Sequence, residues 1–233
     1  IDRDDRRRSK PTIHTEYTHM AVRELGYDPA EAAHYGLTIA LLTGDIQQSW
    51  STLLFAEVAQ KYEVDARLIL NLLSELTGRL SPALIAGETL DVQYSKQSVE
   101  TITEALILDM LWKKTGALYE FAGRAGAAIG LGDATLTDSL ITDIANFCSR
   151  CGTAFQLQDD ILGIVGDEVQ LGKPVGSDLR EGKNTLIILK AFQEANAAQK
   201  ERLKAVLGNP NAAEKDIKQV TSLLHDLGGI SYT

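Results

Sequence analysis

The sequence predicts an all-α fold. Apolar residues recur at three- and four-residue spacing through most of the chain, no stretch of useful length alternates apolar and polar residues, and only 5 of 233 residues are proline. With 44% hydrophobic residues the chain can bury a substantial core, and residues 1–233 read as a single helical domain.

The chain opens on IDRDDRRRSKPTIH, a charged run in which Pro11 predicts a change of direction. Asp28-Pro29-Ala30-Glu31 marks a helix start, with an N-cap oxygen, proline at the first position and an acid near the third. Leu37, Ala40 and Leu41 follow on one face, and Gly44-Asp45 weakens the pattern at mid-length. A second helix starts after Asp65, with Leu68, Leu72, Leu73 and Leu76 at helical spacing; Gly78 and Pro82 are expected to interrupt or bend it. Glu88 and Asp91 then share a face, and Ser98 is the expected cap of the next helix.

Small residues from Ala117 to Gly130 predict close helix–helix approach. Lys113 and Lys114 interrupt the apolar run before them; such lysines snorkel to solvent or point into a polar cavity at a helix break. The periodicity from Leu136 to Ile161 pairs Gln156 with Asp160 and Phe155 with Asp159 on shared faces. Leu186 to Leu207 reads as one amphipathic helix ended by Gly208, and Asp216 to Leu227 as another ended by Gly228-Gly229.

Chemistry concentrates between Phe155 and Thr185. The acid pair Asp159-Asp160 closes an apolar segment, and a glycine-punctuated loop carrying Lys173 and Lys183 follows. Carboxylates facing lysines across a loop suit the holding of a divalent metal against a polyphosphate, because carboxylate and phosphate oxygens share hard cations while ammonium groups neutralise the remaining charge. Two Gly-Lys pairs raise the question of a nucleotide-binding loop. The glycine spacing is one residue too long, however, and neither lysine is followed by Ser or Thr.

A net charge of -9 argues against nucleic-acid binding. Cys148 and Cys151 form a lone Cys-x-x-Cys with no second pair to complete a zinc site, so they read as small packing residues. No signal peptide is recognisable, and no apolar run approaches the ~20 residues of a membrane span, which makes a cytoplasmic location the expectation.

In this order the motifs resemble the trans-isoprenyl diphosphate synthases, particularly the geranylgeranyl diphosphate synthase branch. Asp2 and Arg7-Arg8-Ser9-Lys10-Pro11 are similar to the end of that family's first aspartate-rich motif and the arginine pair beyond it. Gly87-Glu88 with Asp91, Lys114-Thr115, Phe155-Gln156-Leu157-Gln158-Asp159-Asp160, Gly172-Lys173 and Gly182-Lys183-Asn184-Thr185 match later motifs. Three departures stand out. Only the last aspartate of the first motif is present, Ser9 replaces a usual glycine, and Gly163 stands where many members have a further aspartate. The resemblance therefore reads the chain as truncated at both ends.

The resemblance implies an isoprenoid synthase fold, a helical bundle around an apolar cavity. It implies a Mg2+-dependent prenyltransferase, a homodimer, that condenses an allylic diphosphate with isopentenyl diphosphate and releases pyrophosphate. Asp2, Asp159 and Asp160 would hold metal. Arg7, Lys114 and Lys173 would hold the allylic diphosphate with Lys183 nearby, and Arg8 the isopentenyl diphosphate. Gln156, Thr115 and Phe155 would line the reacting end. His14 and His19 are read as structural. Product length, set in the family just upstream of the first motif, is not legible, and geranylgeranyl diphosphate is the expectation from overall likeness. The rival readings are a non-catalytic partner subunit, which would have lost the acids or lysines, and a class I terpene cyclase, which would lack the arginine pair and the lysine loop.

Overall fold

The computed structural model describes residues 5–7, 10–166 and 176–233, and it is helical almost throughout them. The chain forms two compact units, residues 1–69 and 70–233.

The first unit opens with a two-stranded antiparallel hairpin, β1 (Arg6–Arg7) and β2 (Lys10–Pro11), paired Arg6 to Pro11 and Arg7 to Lys10. These two-residue strands are too short to carry an alternating pattern, so the sequence shows only the change of direction. Helix α1 (Ile13–Met20) runs into a π-helical turn at Ala21–Leu25. Helix α2 (Pro29–Lys61) is capped as expected: the Asp28 carboxylate accepts the Ala30 and Glu31 N–H groups at 2.9 and 3.2 Å. Gly44 does not break it. A mid-helix glycine costs only about 1 kcal/mol, which 33 residues of helix absorb. Most of the apolar side chains of α2 are exposed, among them Leu41, Trp50 and Leu54.

The unit boundary falls within α3 (Ala66–Glu75), which Asp65 caps through the Arg67 N–H at 2.7 Å. Gly78 and Pro82 do not interrupt the helix. A π-turn at Leu76–Leu80 absorbs the glycine, and Pro82 directly follows that turn as the second residue of α4 (Ser81–Tyr94), with the helical path kept. Residues 66–94 thus form a continuous helical stretch that is, by length and composition, apolar enough to cross a membrane, with mean hydropathy 1.2. This departs from the expectation of no run near span length, because the helix continues through Gly78 and Pro82. Within the second unit, Glu75, Arg79, Glu88 and Asp91 of this stretch each enter an ion pair with another helical element, the contacts of a helix in a bundle.

Ser98 caps a short 3-10 turn, Val99–Thr101, and Thr103 caps the helix after it, α5 (Glu104–Leu111). A π-turn, Trp112–Gly116, joins α5 directly to α6 (Ala117–Leu131). Helix α7 (Ser139–Val165) packs along α6 through small residues, as the composition predicts. A side chain at Gly123 would meet Cys148 at 2.6 Å, and one at Gly152 would meet Tyr119 at 2.8 Å. Both cysteines are free thiols.

The short α8 (Ser177–Glu181) precedes α9 (Leu186–Glu194), the centre of the core. Leu186, Ile187, Ile188, Leu189, Ala191 and Phe192 of α9 are all buried, against side chains that include Ile107, Leu111, Ile164, Val220 and Leu224. The single helix expected from Leu186 to Leu207 is two helices. The chain breaks at Ala195, and Asn196 starts α10 (Ala197–Val206) with a reciprocal capping box to Gln199. Helices α11 (Glu214–Asp226) and α12 (Gly229–Tyr232) close the unit.

Candidate functional site

The C-terminal half of α7, the Trp112–Gly116 π-turn, α4 and the α8 loop meet inside the second unit. The π-turn presses directly on α4 at Gly87, where a Cβ would collide with the Lys114 N and lie 2.6 Å from its Cα. Only glycine admits that approach. The turn then sends successive side chains to different partners. Lys113 pairs with Asp109 on its own helix at 2.6 Å and points outward. Lys114 is the inward lysine: its Nζ lies 2.7 Å from Asp91 and 3.7 Å from Glu88, so the two acids expected on one face of α4 converge on it. Burial works against the Lys114 charge, but Asp91 and Glu88 outweigh it and raise its pKa above the usual value. Thr115 donates its hydroxyl to Gln156 Oε1 at 3.0 Å.

Gln156 is the hub on α7. Its amide nitrogen reaches Asp160 at 3.3 Å and Asp159 at 3.5 Å, realising the four-residue spacing read from sequence. Asp159 is exposed, whereas Asp160 is buried. Burial raises the Asp160 pKa to about 7; the charges of Asp178 and Asp159 push the same way, against Gln156 and Lys183. Phe155, 57% exposed, faces Tyr119 with ring centroids 5.9 Å apart.

Lys183 is delivered by a loop whose other residues are structural. Gly182 has φ +78, and a Cβ there would lie 3.0 Å from Gly208 Cα and 3.1 Å from the Ser95 carbonyl. The buried Asn184 amide donates to the Tyr94 and Gln97 carbonyls at 2.6 and 3.0 Å, and Thr185 caps α9. With both flanks pinned, Lys183 Nζ meets Asp178 and Glu181, each at 3.2 Å. The Lys183 charge opposes the rise at both Lys114 and Asp160, so the cluster is one electrostatic unit.

Asp178 joins the site without being among the residues expected from the sequence. Its carboxylate Oδ2 stands over Gly163, where a Cβ would collide with it. The acid absent from position 163 is thus matched in space by one from α8. The available signal was an aspartate two residues after Gly176, between the two Gly-Lys pairs.

Of the remaining expected residues, Arg7 lies on the hairpin of the first unit. Asp2, Arg8 and Lys173 lie outside the described residues. Among the described residues no group of three His, Cys, Asp or Glu side chains is placed to hold a metal. The donor chemistry nonetheless fits a hard divalent cation. Burial, with the charges of Asp178 and Asp159 adding to it, disfavours the Asp160 carboxylate, and a bound cation would offset that penalty.

A family model described as polyprenyl synthetase matches residues 1–224. The short chain isoprenyl diphosphate synthase of Methanocaldococcus jannaschii is 33% identical over 96% of this chain and 59% of its own length. The geranylgeranyl diphosphate synthase of Sulfolobus acidocaldarius is 29% identical over 96% of this chain and 60% of its own length. The chain therefore spans about three-fifths of these relatives. Among solved structures, geranylgeranyl pyrophosphate synthase from Corynebacterium glutamicum, complexed with isoprenyl diphosphate and magnesium, superposes with TM-score 0.78 at 26% identity, covering 100% of this chain and 62% of that one. The Pyrococcus horikoshii geranylgeranyl pyrophosphate synthetase gives TM-score 0.68 at 30% identity, covering 99% and 61%. The fold is the all-α isoprenoid synthase fold, and with a family match over nearly its whole length the chain belongs to the polyprenyl synthetase family.

Proposed function

We propose that the protein is a trans-polyprenyl diphosphate synthase, joining isopentenyl diphosphate to an allylic diphosphate with release of pyrophosphate. The observation that carries this is the convergence of Lys114, Thr115, Gln156, Asp160, Asp178 and Lys183 at one end of α7. Two lysines and a cluster of acids in one place suit a diphosphate shared with a cation.

In the reaction the allylic C–O bond breaks, the pyrophosphate departs with the electron pair, and the isopentenyl double bond attacks the allylic carbon. A proton is then lost from the adjacent carbon to the released pyrophosphate. Lys114, with Lys173, Lys183 and Arg7, binds the allylic diphosphate; Lys114 exchanges part of its pairing with Asp91 for phosphate oxygen. Arg8 holds the isopentenyl diphosphate. Thr115 and Gln156, tied to each other, line the reacting carbon together with the Phe155 ring. Asp159 and Asp160, with Asp2, are the residues that would hold Mg2+, whose chemistry is neutralisation of the negative charge developing on the leaving group.

The reading extends to a single synthase domain, a cytoplasmic homodimer with the apolar face of α2 as its dimer surface, and a geranylgeranyl product. The test is a product assay on the intact protein with isopentenyl diphosphate, each allylic diphosphate and Mg2+, with Asp159→Ala as control. A C20 product lost in the variant supports the synthase and its product length together. No condensation with any primer, from folded protein, sinks the reading and turns attention to a partner subunit.

A further inference from the structure

A buried carboxylate of the second unit has no part in this chemistry. Glu120 of α6 accepts hydrogen bonds from Arg79 Nη2 at 2.8 Å, the Trp112 indole N–H at 3.2 Å and the Ser149 hydroxyl at 3.3 Å. Trp112 Nε1 also lies 3.0 Å from Ser149 Oγ. Burial opposes the Glu120 charge, yet Arg79, Trp112 and Ser149 hold its carboxyl below the usual range. Arg124, one turn further on, stands 3.8 Å from Glu120 and 3.5 Å from Glu75. A buried charge of this kind stabilises a fold no better than apolar packing does, but its hydrogen bonds fix the groups that it touches.

What it orients is the π-turn. Trp112 is the first residue of that turn, and Lys114 and Thr115 follow on it. Ser149, the other anchor of the indole, lies on α7 two turns before Gln156, which accepts the Thr115 hydroxyl. Turn and helix are therefore tied at both ends: Trp112 to Ser149 through Glu120, and Thr115 to Gln156. Isolated π-turns concentrate at functional sites, and their side-chain directions depend on such outside contacts.

We propose that Glu120 is a positioning residue that braces Trp112 against α7 and so fixes the register in which Lys114 and Thr115 meet a diphosphate. This rests on the proposed role of Lys114 in holding the allylic diphosphate. The variants are Trp112→Phe, which keeps the ring and deletes the N–H, and Glu120→Gln, which keeps the shape and deletes the charge. Leu224→Ala, in the core away from this network, is the control for general destabilisation. Two quantities are measured on the intact protein: the Kd for inorganic pyrophosphate with Mg2+, by calorimetry, and KM for each substrate.

Both brace variants are expected to weaken pyrophosphate and to raise the allylic KM by about tenfold, with the isopentenyl KM unmoved, because small misplacements of a binding group cost that much. Leu224→Ala should lower Tm and move neither constant. Pyrophosphate affinity within twofold of wild type in both brace variants overturns the proposal, as does an equal shift in Leu224→Ala. A wild type that binds pyrophosphate but forms no polyprenyl product overturns the synthase reading alone, and the brace then stands or falls on the affinity shift. A wild type that binds no pyrophosphate overturns both.

Discussion

Asp160 carries the sharpest residue-scale expectation. Its folded-state pKa of about 7 lies above the ordinary 3.8, so the folded state binds a proton that the unfolded chain has released between those values. The contribution of this group to stability is greatest below about pH 4, falls as pH rises from there to about 7 and then levels off, a loss on the order of 2–4 kcal/mol for a shift of this size. Asp160→Asn should therefore raise the Tm of metal-free protein at pH 8 and leave it nearly unchanged at pH 4. Mg2+ should raise the wild-type Tm at pH 8 and do so far less in the variant. Equal Tm gains at both pH values would refute the assignment. How Asp160 meets Gln156 is legible in sequence, because four-residue spacing on a helix is local geometry. How Asp178 meets Gly163 is not, since nothing in either residue's neighbourhood says that the two positions adjoin.

At the scale of elements, the close approach of α4 to the π-turn rests on Gly87. A Cβ there meets backbone, which cannot swing aside, so Gly87→Ala should destabilise by about 1–3 kcal/mol and weaken diphosphate binding together. Chemical denaturation and pyrophosphate calorimetry check this, and an unchanged denaturation midpoint would count against the contact. Asn184→Ala should likewise cost about 1–3 kcal/mol, because two carbonyls at the end of α4 lose a buried donor. Helix starts at Asp28 and Asp65 were readable because a cap and its N–H partners lie within one turn. The break at Ala195 was hidden. No glycine or proline marks it, and AFQEANAAQ keeps a helical composition throughout. Its one signal, Asn196 three residues before Gln199, is outweighed by the apolar periodicity on either side.

At the scale of the molecule, α2 places Leu37, Leu41, Ile46, Trp50, Leu53 and Leu54 at or above 50% exposure, more contiguous apolar surface than a single chain ordinarily leaves to water. Sedimentation of the intact protein should show a dimer, and Leu41→Glu with Leu54→Glu should shift it to monomer while the far-UV helical signal persists. A wild type that sediments as monomer at all concentrations would refute the dimer. The all-α class was legible from periodicity alone. The division into two units was not, because the boundary runs through the unbroken periodicity of α3.

The π-turn at Trp112–Gly116 also bears on which length changes the chain tolerates. A π-turn amounts to one residue more than an α-helix needs, inserted into otherwise continuous helix. Deleting a single residue from 112–116 would let α5 run into α6 with regular hydrogen bonding and leave the flanking helices in register, but it would turn the side chains within the turn into new directions. Lys114 and Asp91 would part, as would Thr115 and Gln156, while the helices themselves survived. At this turn a single codon would undo the contacts of the candidate site while the helices on either side kept their form.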